Sequence, residues 1–110
     1  MPDKIIVIVM EPGKPAEQRS IDNTLKALQE LVGGHIETVR LSHGRILLVN
    51  EEGVPLNLPA NRAIVGGPGQ WPIIQYGTIV MVRVIEDEFS SVYTDDMAWV
   101  ENHCHMLESE

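Results

Sequence analysis

Cysteine, basic residues and long apolar runs are all scarce in this sequence. Its single cysteine, Cys104, excludes an internal disulfide and fits a reducing compartment. No apolar run approaches the roughly 18 residues that a membrane-spanning helix needs. The apolar run at residues 5–10 is also too short for a secretory signal. We therefore expect a cytoplasmic protein without a membrane span.

The shortage of basic residues argues against a nucleic-acid-binding protein. The chain has 8 Lys and Arg against 16 Asp and Glu, a formal net charge of −8. Binding to DNA or RNA usually needs a basic patch that displaces counterions, and the basic residues here are dispersed. The acidity serves solubility, or it favours docking on a basic partner surface; both interpretations stay open.

The 110 residues predict one domain, residues 1–110, with 44% hydrophobic composition typical of a globular protein. Residues 5–10 and 78–85 are rich in Ile and Val, which indicates strands that are apolar on both faces. Residues 17–21 predict a weaker strand paired with the first in a hairpin. Residues 35–41 and 45–50 predict a second hairpin.

A first helix is predicted over residues 24–32, with Asp22 as its N-cap and Gly33-Gly34 as its end. Its apolar stripe follows helical spacing and consists of Leu25, Leu28, Leu31 and Val32.

A second helix is predicted over residues 95–107, capped by Thr94, with Asp95 and Asp96 in its first turn. Its buried stripe is predicted to be Met97, Val100, Cys104 and Leu107.

These elements predict an α+β fold: a small, mostly antiparallel, curved sheet of about five strands with two helices, in the order β-β-α-β-β-β-α. Residues 54–75 show no clean period and are predicted to be a long loop, a kind of segment that is often functional. Two short helices cover one sheet face. We expect the loop and sheet curvature to cover most of the other, leaving some apolar surface as an interaction site.

The predicted loop contains the strongest candidates for a binding site. Asn61 is either a cap for a short helical turn or part of the site, and Arg62 pairs with a surface carboxylate or a ligand phosphate. With Trp71 and Tyr76, Arg62 could form a pocket in which a base stacks. The glycine-rich residues 66–69 are interpreted as a turn, because no Lys and hydroxyl residue follow as in a phosphate-binding loop.

No group of residues indicates catalysis, a metal or a cofactor, so we expect a non-enzymatic protein. Consecutive residues on a helix point about 100° apart, so His103, Cys104 and His105 cannot converge on one ion. The acidic turns are interpreted as solvated surface or as contacts to a basic partner, and consist of Glu51, Glu52, Glu86, Asp87 and Glu88.

An ordered set of motifs resembles the DUF3846 family over about residues 5–93. The motifs are residues 8–15, 21–34, 50–53, 58–63 and 73–78. The family is functionally uncharacterised and spans phages, plasmids and their bacterial hosts, so the resemblance implies a mobile-element setting and no catalytic residues.

Three hypotheses follow. The first is a protein that binds and inhibits a host protein, such as a defence component, with self-association as a further option. The second is a small-molecule or nucleotide binder, a sponge, that uses residues 54–76. The third, a small enzyme, would require a concave pocket with perturbed titratable groups, and no feature of the sequence requires one.

Overall fold

The computed structural model describes residues 3–65 and 71–107, which form nine strands, two α-helices and a short 3₁₀ turn at Ser42–Gly44. Within these ranges no helix is long and apolar enough to cross a membrane. In chain order the elements are β1 (Lys4–Met10), β2 (Glu17–Asp22), α1 (Leu25–Val32), β3 (Ile36–Arg40), β4 (Arg45–Asn50), β5 (Ala60–Ile64), β6 (Ile73–Tyr76), β7 (Ile79–Ile85), β8 (Glu88–Ser90), α2 (Asp96–His103) and β9 (Cys104–Met106).

The larger sheet has the strand order β2-β1-β7-β4-β3, and β8 adds to it by pairing with β7. All of its pairings are antiparallel, and β1–β2 and β3–β4 are the two hairpins that the sequence predicts. The α+β class, the mostly antiparallel sheet and the two helices are therefore confirmed. The described residues form more strands than the five predicted.

The central strands β1 and β7 are buried on both faces over most of their length, as their continuous apolar runs predict, although Ile6 and Ile85 are exposed. Alternation sends Ile5, Val7 and Val9 into a cluster under α1, together with Val80 and Val82 of β7. The opposite face carries a second cluster that contains Ile8, Met10, Ile79 and Met81. Each face of the sheet therefore has its own core.

The second core is covered by a smaller sheet and by α2. The smaller sheet has the order β6-β5-β9, and Ile64 of β5 packs into the second core with Val100 and Cys104. The prediction of one long loop over residues 54–75 is wrong, because β5 and β6 lie within it. These strands are short, and β5 carries Asn61 and Arg62, so the segment lacks the alternation by which strands are detected.

The second helix is shorter than predicted. It ends at His103 instead of continuing to residue 107, and Cys104 is extended, with φ −114° and ψ 98°. The chain then pairs with the free side of β5, where Cys104 lies opposite Ile64. Thr94 is not the N-cap; Asp95 holds that position and forms no capping side-chain hydrogen bond.

The first helix begins with a different cap from the predicted one. Thr24 is the N-cap, and its Oγ1 accepts a hydrogen bond of 3.1 Å from the Ala27 N–H. Asp22 instead ends β2 and pairs with the ammonium group of Lys4 at 2.9 Å. The predicted end is confirmed, since Gly33 takes the left-handed conformation with φ 80°.

Candidate functional site

Asn61 links the two sheets through hydrogen bonds of its buried side chain. Its Nδ2 donates to the carbonyl of Met10 at 2.7 Å and to the carbonyl of Gly77 at 2.7 Å. Its Oδ1 accepts a 2.6 Å hydrogen bond from Nη1 of Arg62. Asn61 therefore lies within β5 and anchors it to the larger sheet, so of its two predicted roles the helical cap is wrong.

Arg62 is buried, with only 2% of its surface exposed. Its Nη2 donates to the Lys14 carbonyl at 2.6 Å, and its Nη1 donates weakly to the Glu11 carbonyl at 3.4 Å. No carboxylate of the described residues forms an ion pair with it. Burial lowers the pKa of Arg62, and nearby Cys104 opposes this shift. The guanidinium group is thus surrounded by neutral oxygens.

Arg62 also lines a cavity of about 400 Å³, which we call the Arg62 cavity. Small-molecule sites commonly have volumes of roughly 300–1,000 Å³, so the Arg62 cavity can hold a small organic ligand. It lies between the β1–β2 connection, β5, α2 and β9. The residues around it are Pro15, Ala16, Arg62, Met97, Val100, Glu101, Cys104 and Met106.

Cys104 contributes a neutral thiol to this cavity. Burial raises its pKa to about 11, and Arg62 opposes the shift. A thiol with this pKa is protonated at neutral pH, so it is neither an activated nucleophile nor a counter-charge for Arg62. The adjacent His103 turns away to Trp99, on whose ring it stacks with centroids 4.3 Å apart. Among the described residues, no three metal-binding side chains cluster.

The structure does not bring Arg62 together with Trp71 and Tyr76 in a cavity formed by the described residues. Trp71 precedes β6 and is 89% exposed. Tyr76 lines a smaller cavity of about 200 Å³, which we call the β6 cavity. The predicted glycine-rich turn at residues 66–69 lies outside the described residues. Arg62 and Tyr76 therefore lie on paired strands, with Arg62 opposite Gln75, but they line different cavities.

The predicted acidic residues lie on two exposed turns. Glu51 and Glu52 follow β4, and Glu51 lines the β6 cavity. Glu86 and Asp87 form the two-residue turn between β7 and β8, where both have positive φ, 52° and 66°. Glu88 begins β8 and is also exposed. The two groups are on different hairpins, so they are separate candidate contacts.

Asp96, predicted only as a residue of the first turn of the second helix, is a fully buried carboxylate that binds two arginines. Its Oδ1 accepts from Nε of Arg45 at 2.9 Å and from Nη2 of Arg83 at 2.7 Å. Its Oδ2 accepts from Nε of Arg83 at 2.9 Å and from the Tyr93 N–H at 2.7 Å. Burial acts to raise the pKa of Asp96, but these hydrogen bonds outweigh burial and lower it.

Aromatic rings complete this cluster. The guanidinium carbon of Arg45 lies 5.0 Å from the ring centroid of Trp99, and that of Arg83 lies 4.0 Å from the ring centroid of Tyr93. Through these cation–π contacts and hydrogen bonds, the guanidinium groups of both arginines bind other parts of the protein instead of a ligand. The cluster has a structural role, and the available signal was Arg83 itself, a charge in an apolar strand that requires a buried partner.

The family model for a domain of unknown function, DUF3846, matches residues 4–105. The chain belongs to the DUF3846 family. No curated protein and no solved structure matches it significantly. The matched range extends past the residues on which the resemblance was recognised and includes α2. In this DUF3846 protein, Arg62, Glu101 and Cys104 of the Arg62 cavity therefore all lie within the family's domain.

Proposed function

We propose that this DUF3846 protein acts by binding a partner protein and not by catalysis. The observation that carries the proposal is an exposed apolar segment at the edge of the smaller sheet. Trp71, Ile73 and Ile74 are 89%, 56% and 45% exposed. Soluble proteins usually protect an edge strand with charged residues, and residues 71–76 contain none.

The edge strand offers both backbone and side-chain contacts. Among the described residues, β6 pairs with β5 alone, so its other side makes no strand pairing and is open to an added strand at Ile73 and Ile74, whereas Tyr76 packs close to Gly53. Trp and Ile are side chains that supply much of the binding energy when they enter a partner's pocket. We therefore place the partner surface along residues 71–76.

Negative charge beside β6 defines the chemistry of the partner. The β6 cavity is lined by apolar Val54 and Ile74, and also by Glu37 and Glu51. An extended segment with an apolar side chain flanked by Lys or Arg would fill the cavity and meet these carboxylates. The net charge of −8 would further accelerate encounter with a basic partner.

The biological setting rests on the family. The distribution of DUF3846 proteins among phages, plasmids and their hosts supports a host protein as the partner, with inhibition of a defence component as the outcome. A nucleotide sponge built from residues 54–76 has less support, since Arg62 does not share a cavity with Trp71 or Tyr76 among the described residues.

The test is cross-linked capture of partners from cells of the native host. Wild-type protein should retain a stoichiometric partner, and a Trp71→Ser/Ile73→Ser variant should lose it. The matched control is Ile85→Ser, which removes an exposed isoleucine from the larger sheet and should retain the partner. Equal capture by both variants would contradict the proposed surface.

Solution mass measured by light scattering separates a foreign partner from a second copy. A monomeric wild-type protein together with stoichiometric capture supports the host-protein proposal. A dimer that becomes monomeric in Trp71→Ser/Ile73→Ser would instead assign β6 to self-association. Infection assays with and without the protein then test inhibition of defence, for which the expected result is more efficient phage plating.

A further inference from the structure

We propose that the Arg62 cavity binds a small organic anion, with Arg62 holding its carboxylate or phosphate group and the apolar walls holding its body. This site is separate from the partner surface along residues 71–76 and does not depend on the proposed protein partner. The ligand class follows from the charge of Arg62, its remaining donors and the lining of the cavity.

The first argument is an uncompensated buried charge. Arg62 is 2% exposed, and its oxygen partners are the carbonyls of Glu11 and Lys14 and the amide of Asn61. Neutral oxygens do not cancel a positive charge, and the neighbouring Cys104 thiol is protonated at neutral pH. An isolated buried charge is unfavourable, so an oxyanion in the cavity would be stabilised there.

The second argument is unused hydrogen-bonding capacity. Three hydrogen bonds join the guanidinium to protein oxygens. A guanidinium offers more N–H donors than these bonds use, and its fork matches a carboxylate or phosphate. Asp96 forms ion pairs with Arg45 and Arg83, whereas Arg62 has no carboxylate partner among the described residues.

The third argument is the lining of the cavity. Ala16, Met97, Val100 and Met106 contribute apolar walls, which suit a hydrocarbon or aromatic body. Glu101 is the one carboxylate among the lining residues, and it is exposed. Solvent and salt screen an exposed charge more than a buried one, so Arg62 dominates the potential felt by a ligand in the cavity.

The experiment is an NMR titration of ¹⁵N-labelled wild-type protein with octanoate, octyl phosphate and 1-octanol. The anions should shift the amide signals of Arg62, Val100 and Cys104. The tighter anion should bind at least about tenfold more strongly than 1-octanol, because only an anion gains charge-assisted hydrogen bonds. The ranking of octanoate against octyl phosphate then identifies the preferred oxyanion.

Variants at other cavity residues test whether the site favours an anion, even if variants of the buried Arg62 do not fold. Glu101→Gln removes an exposed carboxylate, so it should fold normally and bind the preferred anion about two- to threefold more tightly. Glu88→Gln makes the same change on an exposed residue of the larger sheet and should leave the Kd unchanged. Ala16→Trp fills the cavity and should abolish binding. A folded Arg62→Met variant, judged by a dispersed spectrum, should lose the preference for the anion over 1-octanol.

Three results would overturn the inference: no shift at the cavity residues with either anion, 1-octanol binding as tightly as the anions, or undiminished anion binding in a folded Ala16→Trp variant. None of them bears on partner capture by Trp71 and Ile73, so the two proposals fail separately.

Discussion

Asp96 is the fully buried carboxylate between two guanidinium groups, and its charge can be removed without changing its shape. In Asp96→Asn, Arg45 and Arg83 would lose their buried counter-charge. Loss of one partner from a buried ion pair typically costs about 3–5 kcal/mol, so we expect that loss in the free energy of unfolding, measured by urea denaturation.

The neighbouring Asp95 provides the matched control for that change. It is exposed, and its side chain makes no capping hydrogen bond. Asp95→Asn should change the free energy of unfolding by less than about 0.5 kcal/mol, as expected for a surface site. Similar losses in the two variants would show that the cluster does not stabilise the fold.

Single-residue roles were difficult to predict wherever partners are distant in sequence. Arg45 is 51 residues from Asp96, and Arg62 bonds to a carbonyl 48 residues away, at Lys14. No local sequence pattern predicts contacts between residues that are so far apart in the chain. The sequence identified Asn61 and Arg62 as unusual polar residues, but it could not show that they lie buried inside a strand.

At the scale of elements, the start of α1 distinguishes the predicted cap from the observed one. Thr24→Ala removes the hydrogen bond from Oγ1 to the Ala27 N–H and should cost about 1 kcal/mol of unfolding free energy. Asp22→Ala removes an ion pair to Lys4 whose two side chains are well exposed, and should cost at most about 0.5 kcal/mol. A larger loss of unfolding free energy for Asp22→Ala than for Thr24→Ala would show that Asp22 is the N-cap, as the sequence predicts.

The β7–β8 turn has the backbone of a type I′ turn but an unfavourable sequence. Glu86 and Asp87 both have positive φ, a conformation that favours Asn and Gly. We expect Glu86→Asn/Asp87→Gly to raise the free energy of unfolding by about 1 kcal/mol, measured by urea denaturation.

The same substitution tests whether this acidic turn contacts the partner. Strained residues are often retained for function, so the stabilised variant should capture the partner less well if Glu86 and Asp87 contribute. A variant that is both more stable and equal in capture would limit the partner surface to β6. An unchanged or lower stability would contradict the strain argument.

Elements with a strong pattern were predictable, and elements defined by their neighbours were not. β1, β7 and α1 have continuous or helical apolar patterns and lie close to their predicted bounds. β5, β6 and β9 have five, four and three residues, too few for a period to emerge. β9 forms by pairing with β5, and no local sequence pattern predicts a pairing between segments so far apart in the chain.

For the whole molecule, the count of apolar strand faces correctly predicted that both faces of the sheet need cover, but it did not predict which elements provide that cover. The larger sheet does need cover on both faces, and α1 covers only one of them. The segment predicted as a loop contributes Ile64 of β5 to the second core, and the second helix and β9 contribute Val100 and Cys104. Ile73 and Ile74 remain exposed at an edge of the smaller sheet, whereas both faces of the larger sheet carry a buried core.

Acid unfolding tests the Asp96 cluster in the context of the molecule's total charge. The net charge of −8 falls to zero near pH 4.8 as carboxylates take up protons and becomes positive below that pH, so general repulsion first decreases and then increases. The pKa of Asp96 is lowered from its ordinary value of 3.8. Its stabilising contribution is therefore complete above that value and is lost as pH falls through the lower pKa of the folded state.

The difference in unfolding free energy between wild type and Asp96→Asn isolates this contribution, because general repulsion and exposed pairs such as Lys4–Asp22 occur in both proteins. We expect the wild-type advantage to be constant from about pH 7 to pH 5 and to shrink below about pH 4. Urea denaturation at each pH measures it. An advantage that is as large at about pH 2.5 as at about pH 7 would mean that the stabilising group is not the ionised carboxylate.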